Sequence, residues 1–209
     1  MKDYPSIPRA MGQSFREIPN AFIFDKLDGT SMRSEWSRKR GWYKHGLRHT
    51  RVDESNMLSF FAEGPVLFME RLAEPLAKVA HDARWQSCIV YYEYWGLKSL
   101  AGFHEQDDPK FLTLFDAAAD NDEILAPGDF RKLFEEDVPT ARFLGRTNWT
   151  RGYIDLVRQG QVDGVTSEGV VAKLATRGET VRAKAKTQAW IDRILALHGP
   201  ERGRLLVES

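Results

Sequence analysis

Two short runs near the C-terminal end constrain this fold more than any other stretch. Val165 to Leu174 and Val181 to Thr187 are rich in β-branched and small residues, and a turn around Arg177-Gly178 separates them, so the segment reads as two adjacent strands. Side chains two apart on a strand point the same way, which puts Lys184 and Lys186 on one face. Other runs extend the sheet. Ala21-Phe22-Ile23-Phe24 reads as a short buried strand leading into Lys26, with Asp28-Gly29 as the turn that ends it. Ser87 to Trp95, ending at Gly96, and Lys110 to Phe115 read as two more.

Helical spacing is confined to other segments. Between residues 57 and 80, Leu58, Phe61, Val66, Leu67, Met69, Leu72, Leu76 and Val79 predict one or two helices interrupted by Gly64-Pro65 and Pro75. Pro127-Gly128-Asp129 opens a helix whose apolar face is Phe130, Leu133 and Phe134, and Tyr153 to Gln159 forms another. From Thr187 through Leu197 a last helix places Trp190, Ile191, Ile194 and Leu195 for packing on the sheet. Strands and helices mix without strict alternation, so the predicted class is α+β. With 209 residues and 42% hydrophobic content, the expectation is a single domain over residues 1–209.

The 30 basic and 30 acidic residues balance, so a polyanion site must come from local clustering. The single cysteine, Cys88, lies in the apolar run Cys88-Ile89-Val90-Tyr91 and reads as a buried thiol in a reducing compartment. No apolar run is long enough to span a bilayer, and the expected location is cytoplasmic.

Phosphate chemistry is written in three motifs: Lys26-Leu27-Asp28-Gly29, Glu168-Gly169-Val170-Val171-Ala172-Lys173 and Lys184-Ala185-Lys186. Strand parity pairs Lys26 with Asp28. A lysine amine has an ordinary pKa of roughly 10.4, and nearby cations or a bound metal ion lower it toward a nucleophilic free base. Lys184 and Lys186 would supply that bias while gripping phosphate oxygens. Magnesium takes one or two carboxylates and fills its other positions with water and phosphate, and Asp28, Glu93 and Glu168 stand at strand ends or turns suited to it.

Lys-x-Asp-Gly, a strand ending in Glu93-Tyr94-Trp95-Gly96, Glu-Gly-Val-Val-Ala-Lys and Lys-x-Lys follow one another in a particular order across residues 22–186. In that order the chain resembles the covalent nucleotidyltransferase superfamily of polynucleotide ligases and mRNA capping enzymes. The resemblance implies an α+β nucleotidyltransferase (ATP-grasp-like ligase) fold, with mainly antiparallel sheets flanked by helices. It further implies that Lys26 becomes linked to a nucleoside monophosphate while pyrophosphate leaves. Asp28 would serve the ribose and metal region, Glu93 the ribose, Phe115 the purine ring, Glu168 a metal ion, and Lys184 and Lys186 the α-phosphate. Lys173 joins the cofactor-binding set on the family pattern, although ideal strand parity puts it on the face opposite Glu168; a surface lysine is the competing reading. Val170 or Val171 would press on the base.

Between Arg33 and Arg51, basic residues alternate with Trp36, Trp42, Tyr43, His45 and His49, as in surfaces that grip phosphates and stack on bases. Arg48 has about the right separation for the family's nucleotide-contacting arginine; Arg33 and Arg40 are alternatives, and a solvated twisted hairpin is the competing reading. A second cluster of Arg142, Arg146, Trp149, Arg151, Tyr153 and Arg158 admits the same two readings.

Ligases of DNA and capping enzymes generally carry an OB-fold domain after the Lys-x-Lys strand, whereas Thr187 to Ser209 reads as one helix and a tail. Thr30 and Ser31 after the glycine give Lys-x-Asp-Gly-Thr-Ser, a form similar to RNA ligases. The expectation is an ATP-dependent RNA ligase, using Mg²⁺ or Mn²⁺, that joins RNA 5′-phosphate and 3′-hydroxyl ends without membrane attachment. The alternatives are a DNA ligase core working with a partner and a non-catalytic nucleotide- or RNA-end-binding module.

Overall fold

Strands form where β-branched and aromatic residues concentrate, as in Ser87–Gly96, and helices where apolar residues recur at helical spacing. In chain order the elements are β1 (Ile18–Lys26), β2 (Thr30–Ser37), β3 (Gly41–Leu47), β4 (Arg51–Val52), α1 (Glu63–Arg71), α2 (Ala73–Asp82), β5 (Ser87–Gly96), β6 (Lys110–Ala119), β7 (Glu123–Ile124), α3 (Pro127–Phe134), β8 (Phe143–Trp149), α4 (Arg151–Arg158), β9 (Gly169–Thr176), β10 (Glu179–Lys186) and α5 (Gln188–Glu208). This computed structural model describes residues 2–8, 15–48, 51–52, 63–120, 123–177 and 179–208. The predicted positions Leu58, Phe61 and His49 lie outside them. The α+β class holds.

The chain divides into two compact units. The first comprises Met1–Pro5, Thr30–Leu97 and Asp107–Thr140. Its six-stranded sheet runs β4-β3-β2-β5-β6-β7 with antiparallel pairing throughout. Met32, Val90, Tyr92, Tyr94, Leu112 and Leu114 cover one face, where they meet Phe68 and Leu72 near the helix α1–α2 junction and Phe130 and Phe134 of α3. Phe68 stacks on Tyr92 at 5.1 Å. Gly64 and Pro65, read as an interruption, instead lie in the first turn of α1, where proline's missing N–H costs nothing.

The second unit comprises Ser6–Gly29, Lys98–Gln106 and Ala141–Ser209. It holds a four-stranded antiparallel sheet in the order β10-β9-β1-β8. Ala21, Ile23, Trp149, Val170, Ala172, Ala183 and Ala185 form its apolar face, with Ile154 and Val157 of α4 packed on it. Thr150 starts α4, its hydroxyl accepting the Tyr153 N–H at 3.3 Å. The helix α5 is interrupted at Gly199, with φ 73°, directly before Pro200.

Several aromatics of the two basic clusters prove to be core. Trp36 and Trp149 are fully buried, and Trp42 packs edge-on against Phe68 while its indole N–H donates to the Ala73 carbonyl at 2.8 Å. Tyr43 keeps the surface character read for the first cluster, with Arg40 at 5.1 Å and Lys44 at 4.9 Å from its ring centroid. The hairpin of the competing reading is present as β2–β3, but not all of its charges face water, since Arg33 is buried.

The predicted strand Val165–Leu174 begins only at Gly169, whose φ of 152° is open to glycine and costly for any other residue. A Cβ there would overlap the Ala185 carbonyl oxygen and lie 2.8 Å from the Lys186 Cα. Gly169→Ala is therefore expected to lower stability by about 2 kcal/mol or more, read by urea unfolding, whereas Gly152→Ala in the first turn of α4 leaves stability unchanged or raised.

Candidate active site

Alternation along β1 sends Ile23 into the apolar core and Phe22, Phe24 and Lys26 to the other face. The register then aligns three rows across the sheet: Lys26 beside Gly169 and Lys186, Phe24 beside Val171 and Lys184, and Phe22 beside Lys173 and Arg182. Cross-strand neighbours share a face, so one side of this sheet is apolar and the other cationic.

Glu168 stands just ahead of β9 and reaches over the first row. Its Oε2 lies 2.6 Å from Lys26 Nζ and its Oε1 3.0 Å from Lys186 Nζ, with the Glu168 side chain only 5% exposed. Burial by itself would raise its pKa, but the two ammonium groups outweigh burial and hold the carboxyl below its ordinary range. Burial lowers the pKa of Lys186 against the opposing pull of Glu168, with Lys26 adding to the lowering. The Lys186 ammonium also sits 4.3 Å from the Trp190 ring centroid.

Asp28 lies beyond the end of β1, so the turn and not strand parity sets its direction. Its side chain is buried; Oδ1 accepts the Ala101 N–H at 2.7 Å and Oδ2 the Trp190 indole N–H at 2.6 Å. Burial, followed by repulsion from Glu168, raises its pKa from 3.8 to about 6, against the lowering effects of Trp190, Ala101 and Lys26. Among the described residues no group of three or more histidine, cysteine, aspartate or glutamate side chains is placed to hold a metal ion.

Lys173 corrects a parity argument. Counting from Glu168 put it on the opposite face, but Glu168 is outside the strand and the turn at Gly169 resets the alternation. Lys173 instead shares the face of Lys26, Lys184 and Lys186, buried, with its ammonium 4.9 Å from the Phe24 ring centroid. Val171 faces the same side, whereas Val170 belongs to the apolar core. Lys184 is buried, and its backbone N–H donates to the Pro8 carbonyl at 3.1 Å.

Glu93, Phe115 and Arg48 belong to the first unit. Glu93 pairs with Ser31 and Thr113, on the sheet face away from the helices. Alternation from Thr113 puts Phe115 on that face as well, where it stacks with Tyr91 at 6.5 Å and meets the edge of Tyr4 at 5.1 Å, and a register shift opposite Tyr91 and Tyr92 then pairs Asp116 with Tyr91. Tyr4, missed in sequence because its surroundings are polar, donates to Asp116 at 2.7 Å. Arg48 follows β3 and is half-buried; Arg33 is buried and ion-paired with Asp3. Trp190 was legible only as part of a helix face; its place three residues after the helix cap Thr187, next to a strand ending in Lys186, is the signal that it reaches the site.

Solved structures share this architecture. An archaeal ATP-dependent RNA ligase matches all of the chain at 18% identity with a TM-score of 0.70, over 56% of its own length. A second form of an archaeal ATP-dependent RNA ligase matches 94% at 19% identity with a TM-score of 0.67, over 51% of its length. A Naegleria gruberi RNA ligase variant solved with ATP and Mn matches 84% at 16% identity with a TM-score of 0.58, over 52% of its length. The chain has the nucleotidyltransferase fold. It spans about half the length of these ligases. No family model and no curated protein matches the sequence. No helix among the described residues is long and apolar enough to cross a membrane.

The raised pKa of Asp28 has a thermodynamic signature. Between about pH 4 and 6 the folded state holds a proton that the unfolded state has released, so this group's contribution is full below pH 4 and lost as pH rises through 6. The stability of the wild type relative to Asp28→Asn should fall across that window by at most about 3 kcal/mol and stay level above it. Urea unfolding at a series of pH values checks this; a gap independent of pH would contradict it.

Proposed function

We propose that this chain is the nucleotidyltransferase domain of an ATP-dependent RNA ligase with Lys26 as its nucleophile. The observation that carries the reading is the Glu168 carboxylate bridging Lys26 and Lys186 at the end of a cationic sheet face. The likeness in fold to proteins described as ATP-dependent RNA ligases supports it.

Three balanced steps follow. The free amine of Lys26, its proton released, attacks the α-phosphorus of ATP; an N–P bond forms, the bond to the bridging oxygen breaks and pyrophosphate leaves. An oxygen of an RNA 5′-phosphate then attacks the same phosphorus, the N–P bond breaks and the amine recovers a proton. Finally a 3′-hydroxyl attacks the 5′-phosphorus, loses its proton, and AMP departs.

Lys186 and Lys184 stabilise charge on the α-phosphate, as preorganised cations do best in a partly dehydrated site. Lys26 enters its step by exchanging Glu168 for the nucleotide, and the retained Glu168–Lys186 pair keeps the second ammonium in place. The donor set suits a hard divalent cation: Glu168 and Asp28 would hold Mg²⁺ or Mn²⁺, whose positive charge would favour the attack. Lys173 lies on the same face as a further phosphate contact. Glu93 is assigned to the ribose, Phe115 to the purine ring, and Arg48 to the nucleotide or the 5′-phosphate end. A cytoplasmic setting goes with this reading.

Incubation with Mg²⁺ and ATP labelled at the α-phosphate should leave label on the protein, and more than with α-labelled GTP. Lys26→Ala abolishes it, and Glu168→Gln lowers the rate by about 100-fold. No label across a range of metals and pH would overturn the reading. Supplying nicked RNA, nicked DNA and single-stranded RNA afterwards separates an RNA ligase, which seals the RNA ends, from a DNA ligase core.

A further inference from the structure

Asp28 is clamped from two sides, and both clamps are built. On one side, residues 98–106 form a tight loop in which Leu100 and Phe103 exchange backbone hydrogen bonds at 3.0 and 2.9 Å, and Ala101 is held at φ 51°. A residue with a Cβ adopts that conformation only where its surroundings force it. Here it aims the Ala101 N–H at Asp28. On the other side stands Trp190, 4% exposed, packed against Leu100 and Ile194. Its backbone N–H donates to the Thr187 hydroxyl at 3.2 Å, the Thr187 hydroxyl donates to the Ser167 carbonyl at 2.9 Å, and the Thr187 N–H donates to the Glu168 carbonyl at 2.8 Å. The first turn of α5 is thereby tied to the backbone that carries Glu168.

A phenylalanine would fill the same core volume and present the same kind of ring face. Only a tryptophan also brings a buried N–H that needs a partner, and that partner is the carboxylate two residues after Lys26. We propose that Trp190 is a positioning residue of the active site: its indole N–H holds Asp28 while its ring face carries the Lys186 ammonium. One side chain of α5 thus sets the turn that follows the nucleophile and the lysine that shares Glu168 with it. The charged groups around Asp28 are Glu168, Lys26 and Lys186, and Trp190 touches the last of these directly.

The kinetic arm of the test rests on Lys26 being the adenylylated nucleophile; the spectroscopic arm does not. Trp190→Phe should lower the rate of adduct formation at saturating ATP by about tenfold or more with KM for ATP nearly unchanged. In an Asp28→Ala background the same substitution should cost much less, because the acceptor of the indole N–H is already gone. In ¹⁵N-tryptophan-labelled wild type, the one indole N–H resonance that Trp190→Phe removes should shift strongly in Asp28→Asn. A wild-type rate in Trp190→Phe, or an indole spectrum unmoved by Asp28→Asn, overturns the proposal. If Trp190→Phe does not fold, the Asp28→Asn spectrum alone decides: one shifted indole resonance supports the contact and none refutes it. A wild type that forms no adduct but shows the indole shift would sink the ligase reading and leave the contact standing.

Discussion

A single carboxylate shared by two ammonium groups organises the second unit. Glu168 is almost wholly buried, and taking one charge out of water at such a site costs several kcal/mol unless partners compensate. Lys26 and Lys186 do so from two different strands, so the ion group exists only when β1, β9 and β10 are in register. Removing Glu168 leaves two neighbouring ammonium groups without the carboxylate they share, whereas removing one lysine leaves a single ion pair. Asp28 answers to the same group: next to Glu168 and out of water, it is pushed toward its protonated form, and two N–H donors limit that push. Lys184 and Lys173 add two more ammonium groups to the same face, a local clustering of cations in a chain that carries no net charge.

The sheet earns its division of labour from parity. Alanines and valines at alternate positions of β9 and β10 pack on α4, and the lysines between them have nowhere to go except the other face. Gly169 is the pivot. Its backbone conformation and the absence of a Cβ let Glu168 fold back over the strand ends instead of continuing the pleat.

This division was largely visible beforehand in the hairpin of residues 165–187, in the strand leading into Lys26 and in the paired spacing of Lys184 and Lys186. What escaped was whatever depended on a departure from ideal geometry. Counting alternation through Glu168 misplaced Lys173 because a strand's parity cannot be carried across a glycine turn. Trp36, Trp42 and Trp149 read as stacking platforms because composition does not distinguish a core aromatic from a surface one; their burial depends on helices far away in sequence. Trp190 and Ala101 reach Asp28 from segments 162 and 73 residues away, a pairing no local pattern encodes.

The identity of the lysine that carries the nucleotide is the central point. Three lysines crowd the end of one sheet face, yet only Lys26 is both the terminal residue of its strand and the partner of Glu168 that remains appreciably exposed, at 22% against 8% for Lys186. Peptide mapping by mass spectrometry after incubation with ATP and Mg²⁺ reads the answer. AMP on the peptide containing Lys26, and on no other, is the result predicted; AMP on Lys184 or Lys186, or on none, would contradict it.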